Sequence, residues 1–209
     1  MKQILETVSH GVADALERFP WESQDAYAGW LAQTYFYVRH STRLLAAAAA
    51  RFGLDNRSNA FHVRFGAHIG EERSHEKLVL HDLAQLGVAK DALRELNSTR
   101  MFYETQYYKI EHVDPYAVYG YILMLEATGP VCGDAIVERV TRAFGPRCAT
   151  FLKLHAAEDV DHVQRALDMV GQLDTSVHET VLQNLHQSSQ AYRSILREIV
   201  ADLGDQAAA

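Results

Sequence analysis

Two eight-residue runs with one skeleton constrain this chain more than any other feature of its 209 residues: His68-Ile-Gly-Glu-Glu-Arg-Ser-His75 and His155-Ala-Ala-Glu-Asp-Val-Asp-His162. Both read H-x-x-E-[ED]-x-x-H, they start 87 positions apart, and both lie in stretches with helical patterning. Each residue of an α-helix turns by about 100°, so positions i, i+4 and i+7 share a face. His68, Glu72 and His75 are expected to line one face, and His155, Asp159 and His162 one face of a second helix. Imidazoles and carboxylates converging from facing helices are how helical bundles build metal sites in their cores. Mixed nitrogen and oxygen donors suit iron, manganese or zinc better than calcium, which prefers all-oxygen shells. A helical histidine is more often a surface or satisfied core residue, and there are eleven in the chain. One such run would carry little weight; its recurrence with an acid in the same place carries the argument.

Helical periodicity dominates the rest, and nothing reads as a strand. Ile4, Val8, Val12, Ala15 and Leu16 give an amphipathic first helix that ends near Phe19-Pro20, because proline disfavours helix at the residue before it. A second, unusually aromatic helix is expected from about Ser23 to Phe52, and a third carries the first run through to Leu86-Gly87. A short turn near Asp91–Leu96 leads to a fourth helix, about Ser98–His112. Asp114-Pro115 has the signature of an N-cap and a first-turn proline and opens a fifth, with a break or kink at Gly129-Pro130. The sixth, from Pro146 to near Leu173, bears the second run, and a seventh extends to about Leu203. The prediction is an all-α bundle of about seven helices, with residues 1–209 forming a single domain.

Composition narrows the classes of function. A formal charge of −7 argues against a nucleic-acid footprint. The start of the chain shows no apolar core of a secretory signal, and no apolar run reaches the length of a membrane span. Two cysteines, Cys132 and Cys148, are too few for a disulfide framework and lack zinc-finger spacing, so a reducing cytoplasm is the default. A small-molecule substrate is the expected partner, with neither nucleic acid nor membrane; a homodimer is an alternative to a monomer.

Glu126 ends a long apolar and aromatic run, where an unpartnered carboxylate would cost several kcal/mol. Its partner is either a metal or an arginine such as Arg39 or Arg43. Glu72 with His75 and Asp159 with His162 have the i, i+3 carboxylate–histidine spacing of helical dinuclear iron sites, and Glu126 adds a carboxylate from another helix. A fourth helix usually supplies one more carboxylate. The second helix offers Gln33, Tyr37 and His40 but no acid beyond Asp25; His68 and His155, or else His40, are the candidates for that shortfall.

The order of elements and these residues resemble the heme-oxygenase-like fold, and within it the heme-oxygenase-like diiron oxidases: an acid and histidine on one helix (Glu72, His75), a lone glutamate on a later one (Glu126), then H-x-x-x-D-x-x-H (His155, Asp159, His162). The aromatic Gln33-Thr-Tyr-Phe-Tyr37 segment resembles the second helix of TenA-like proteins. The resemblance implies two iron ions that activate O2 to oxidise, desaturate or cleave a small substrate such as an amino acid, an amine or a fatty acid. Tyr35, Tyr37, Tyr119 and Tyr121 either line the cavity or supply electrons, or are simply packed. Arg39 and Arg43 either hold a substrate carboxylate or pair with acids between helices, so Tyr37 and Arg39 stand as catalytic candidates. Two other activities share the fold: a TenA-like or cofactor-free enzyme using Cys132, and a heme oxygenase with His10 as axial ligand. A non-enzymatic metal-binding protein is the bland alternative. His178 and His186 are expected on the surface of the last helix.

Overall fold

The computed structural model describes the backbone of residues 2–208 and the side chains of residues 2–157 and 162–204. Among these residues there are ten α-helices and no strand: α1 (Lys2–Glu17), α2 (Gln24–Val38), α3 (Ser41–Ala49), α4 (Asn56–Glu71), α5 (His75–Gln85), α6 (Asn97–His112), α7 (Val118–Glu126), α8 (Gly129–Phe144), α9 (Thr150–Val170) and α10 (Thr175–Ala208). The seven predicted helices are present, three of them broken in two. The break before Gly129-Pro130 follows from the sequence. Those at Arg39-His40 and at Glu72–Ser74 do not.

Two helices buried on nearly every side form the centre. Ten of the fifteen residues of α2 are buried, and eight of the nine in α7, the pattern of a helix with no solvent face. The long α10 lies along α7, and the two backbones nearly touch. A Cβ on Gly120 would stand 2.3 Å from the Val181 carbonyl oxygen and 2.4 Å from the Leu185 nitrogen, so no larger residue fits. Asn184 secures the same contact by donating to Gln106 Oε1 and to the Ala117 carbonyl, at 2.8 and 2.7 Å.

Polar side chains fix how the outer helices sit. Gln33 of α2 accepts from the Leu96 N–H and the Thr99 hydroxyl at 3.0 and 2.8 Å, which caps the start of α6 from across the core. Asp82 of α5 does the same for α9. Fully buried, it accepts from the backbone N–H groups of Thr150 and Phe151 at 3.1 and 3.0 Å, and from the Thr150 hydroxyl. A helix leaves its first N–H groups without internal partners, so this contact sets the axial position of α9. That position brings the second histidine run level with the first. Among the described residues no helix is long and apolar enough to cross a membrane.

Candidate metal centre and cavity

The first histidine run straddles a helix end and does not lie on one continuous face. His68 is in α4, Glu72 is its C-cap, and Ser74 takes a left-handed conformation (φ 76°) before His75 opens α5. A non-glycine residue there costs of order 1 kcal/mol and persists where its surroundings demand it. The turn serves the site, because it lets Glu72 address two histidines at once. Glu72 Oε1 is 3.7 Å from His68 Nε2, and Glu72 Oε2 is 3.6 Å from His75 Nδ1.

Glu126 closes α7 and brings its Oε1 to 3.1 Å from His68 Nε2 and 3.7 Å from His162 Nδ1. One donor atom from each of His68, Glu72, Glu126 and His162 lies within 4.8 Å of every other. Beside this group His75 and His155 meet edge to face, ring centres 5.0 Å apart, and His155 packs on Phe151. The expectation that the two runs face one another is therefore met in pairs: His68 with His162, at 5.5 Å between ring centres, and His75 with His155. The side chain of Asp159 lies outside the described residues.

Burial and charge explain the electrostatics. Burial works against a charged His68, but Glu126 and Glu72 override it and push its pKa up to about 9. Burial likewise works against a charged Glu72, yet His68 and His75 hold its carboxyl well below the ordinary range. Despite these close approaches, His68 Nε2, His75 Nδ1, His162 Nδ1 and Glu126 Oε2 are buried with no hydrogen-bond partner among the described residues. Buried polar atoms without partners are rare, and here they converge on one point.

Glu71, the fixed glutamate of the repeated skeleton, is a contributor to which the helix-face reading gave no role. It lies 3.6 Å from His162 Nε2, while Arg64 grips it with two hydrogen bonds at 3.1 and 2.8 Å and Arg165 adds one at 3.2 Å. Burial opposes its ionisation, but Arg64 holds its pKa below the usual value. The nitrogen of His162 turned away from the cluster thus faces a fixed carboxylate, the arrangement that orients metal-ligating histidines. Its recurrence as the fixed glutamate of both runs was the signal the sequence offered for it.

The cluster borders a cavity of about 130 Å³. His68, Glu72, Glu126 and His155 are on its wall with Tyr37, Tyr121 and Tyr192; most of the rest is apolar, including Leu16, Trp21, Leu44, Ile122 and Ile136. Tyr37 thus reaches the cavity, its hydroxyl 3.2 Å from that of Thr34. Tyr35 and Tyr119 are buried but not on this wall, and Tyr121 is, with burial raising its pKa well above the ordinary value. Arg39 is not on the wall: it covers the ring of Phe36 and pairs with Glu95 at 3.8 Å, while Arg43 donates to the Arg39 carbonyl. Arg39 thus pairs with an acid, Arg43 with a backbone carbonyl, and neither is on the cavity wall. His40 also stands apart from the cluster, bonded to Tyr107, so it does not make good the missing carboxylate. His10 is exposed on α1, which removes the axial ligand that a heme site would need. Cys132 lines the cavity, but its thiol donates to the Thr128 carbonyl, and burial pushes its pKa up to about 11. That is the reverse of an activated nucleophile.

The chain resembles known proteins in both sequence and shape. A family described as iron-containing redox enzymes matches residues 28–193. No curated protein matches the sequence. Among solved structures, a domain of unknown function with a heme oxygenase-like fold from Shewanella denitrificans OS217 superposes with a TM-score of 0.85 at 18% identity, over 97% of this chain and 93% of that one. A TenA homolog from Pseudomonas syringae pv. tomato DC3000 gives 0.79 at 14% identity, over 96% and 92%. A TenA homologue from Pyrococcus furiosus gives 0.74 at 8%, over 95% and 98%. These likenesses show the fold.

Proposed function

The chain belongs to the family of iron-containing redox enzymes, and from that premise we propose that it is a dinuclear non-heme iron enzyme that uses O2 to oxidise a small organic substrate in the cavity. The observation that carries the reading is the convergence of buried, unpartnered imidazole and carboxylate atoms at the border of an apolar pocket. Their chemistry fits iron: neutral imidazole and anionic oxygen donors suit Fe(II), and the helical carboxylate–histidine pairs are the elements of dinuclear sites. In this reading His68, Glu126 and His162 hold one ion and His75 and His155 the other. Glu72, which addresses both histidine pairs, is shared. When bound, the iron supplies the electrons that reduce O2.

The chain's own residues do the rest. Glu71, fixed by two arginines, orients the His162 ring. The apolar wall excludes water, which strengthens each charge–dipole contact within it. His68 must give up its proton to coordinate, so loading releases a proton near neutral pH. The cavity phenols of Tyr37 and Tyr121 lie within the same pocket and are the candidates for touching substrate. The chain is proposed to act in the cytoplasm as one domain on a small molecule, without nucleic acid or membrane. Anaerobic titration with Fe(II) tests the reading: saturation near two ions per chain, followed by O2 uptake coupled to Fe(II) oxidation, is expected. Saturation below one ion, or iron that stays ferrous in air, would overturn it.

A further inference from the structure

The charge pattern of the cavity narrows what enters it. Among the described residues on its wall there is no lysine and no arginine, and the only carboxylates are Glu72 and Glu126. Both belong to the proposed metal centre, so once metal is bound neither is free to receive a substrate cation. The remaining polar groups away from the metal centre are neutral: the Tyr192 hydroxyl accepts from Trp30 at 3.0 Å, the Cys132 thiol donates to a backbone carbonyl, and the Tyr121 hydroxyl has no hydrogen-bond partner among the described residues. Away from the metal centre the wall is built of groups such as Leu16, Trp21, Leu44, Ile122, Ile136 and Phe151. Apolar cavities of this order of volume stay dry and take up hydrocarbons. A buried charge without a partner is strongly disfavoured in such a place.

We infer that the substrate is a hydrocarbon-rich molecule that carries no positive charge, with any polar group placed at the metal centre, and that amines and zwitterionic amino acids are not substrates. The inference rests on reading this cavity as the substrate site. The two tryptophans of the chain, Trp21 and Trp30, both line the cavity, so their emission reports its occupancy without any need for turnover.

The experiment measures binding of 1-hexanol, hexylamine and norleucine at pH 7 by tryptophan emission, with the chain loaded with redox-inert Zn(II). Hexanol should bind at least tenfold more tightly than either charged probe. Filling the cavity with Cys132→Phe or Val38→Phe should weaken hexanol at least tenfold in whichever variant keeps the wild-type unfolding temperature. Hexylamine or norleucine binding as tightly as hexanol would overturn the inference, as would unchanged hexanol affinity in a folded filling variant. Hexanol is also titrated into the metal-free chain. If no metal binds but hexanol still seats in the cavity and is lost on filling it, the metal reading falls while the apolar character of the site stands.

Discussion

His68 and His40 both sit at or near helix ends, and both have a buried ring nitrogen without a hydrogen-bond partner among the described residues. Their neighbours drive them in opposite directions. His68 faces Glu126 at 3.1 Å and Glu72 at 3.7 Å, and its pKa is pushed up to about 9. His40 stacks on Tyr103 with ring centres 4.0 Å apart, shares a hydrogen bond of 2.9 Å with the Tyr107 hydroxyl, and lies between Arg39 and Arg43; burial and the two arginines pull it down to about 4. A histidine with an unused nitrogen is therefore not enough to make a ligand. What distinguishes the His68 site is three further donors, Glu72 at the end of its own helix and Glu126 and His162 on two others; the two glutamates attract a cation as the surroundings of His40 repel one.

The largest test of that contrast is metal binding. His162→Ala removes a donor whose Nδ1 faces the cluster, and it should weaken Fe(II) or Zn(II) binding by a hundredfold or more, since even outer residues of metal sites account for tenfold to hundredfold. His40→Ala should leave metal affinity within about twofold. Both are read by competition with a chromophoric chelator. Equal losses would show that the histidines bind metal without discrimination and erase the contrast.

A smaller effect is expected from Glu71→Gln. The substitution keeps the shape but removes the anion that faces His162 Nε2 and holds Arg64 and Arg165. Metal affinity should fall by about tenfold, the lower range for such supports, with the metal-to-chain ratio unchanged. A loss as large as that of His162→Ala would make Glu71 a ligand in its own right.

These two variants also mark how far the sequence could be read. The all-α fold, the N-cap at Asp114 and the facing of the two histidine runs follow from periodicity and spacing, because those depend on local geometry. The i, i+4, i+7 argument nonetheless assumed one helix through Glu72 and Ser74. The chain turns there instead, and the left-handed Ser74 carries no glycine or asparagine to announce it. The break at His40 is similarly silent, since the flanking Tyr35–Arg43 segment contains no glycine or proline. The roles of Glu71, present in the skeleton but off the ligand face, and of Asp82 went unread for another reason. Both act across the fold, on His162 and on the start of α9, and neither has a spacing that links it to its partner in sequence. His40 was a candidate because its type was right; its exclusion needed Arg39, Arg43 and Tyr107 in space.

The smallest effect, and the one that bears on the contrast most directly, is the pH dependence of stability in the metal-free chain. A histidine whose folded pKa is raised binds its proton more tightly when folded, so His68 contributes stability that is complete below about 6.5 and is lost as the pH rises through about 9. His40 works the other way. Its folded pKa of about 4 lies below the unfolded value of about 6.5, so the unfolded chain takes up the extra proton and stability falls as the pH drops from 6.5 towards 4. Between pH 5 and 6.5, above the range in which carboxylates titrate, the His40 contribution should amount to about 1 kcal/mol once solvent screening of a half-buried ring is allowed for. His40→Gln should flatten the urea-unfolding free energy across that interval and leave the decline between pH 7 and 9 in place. His68→Gln should do the reverse. If both variants flatten the same limb, the two rings share one environment, and the division between a cation-attracting site and a cation-repelling one fails.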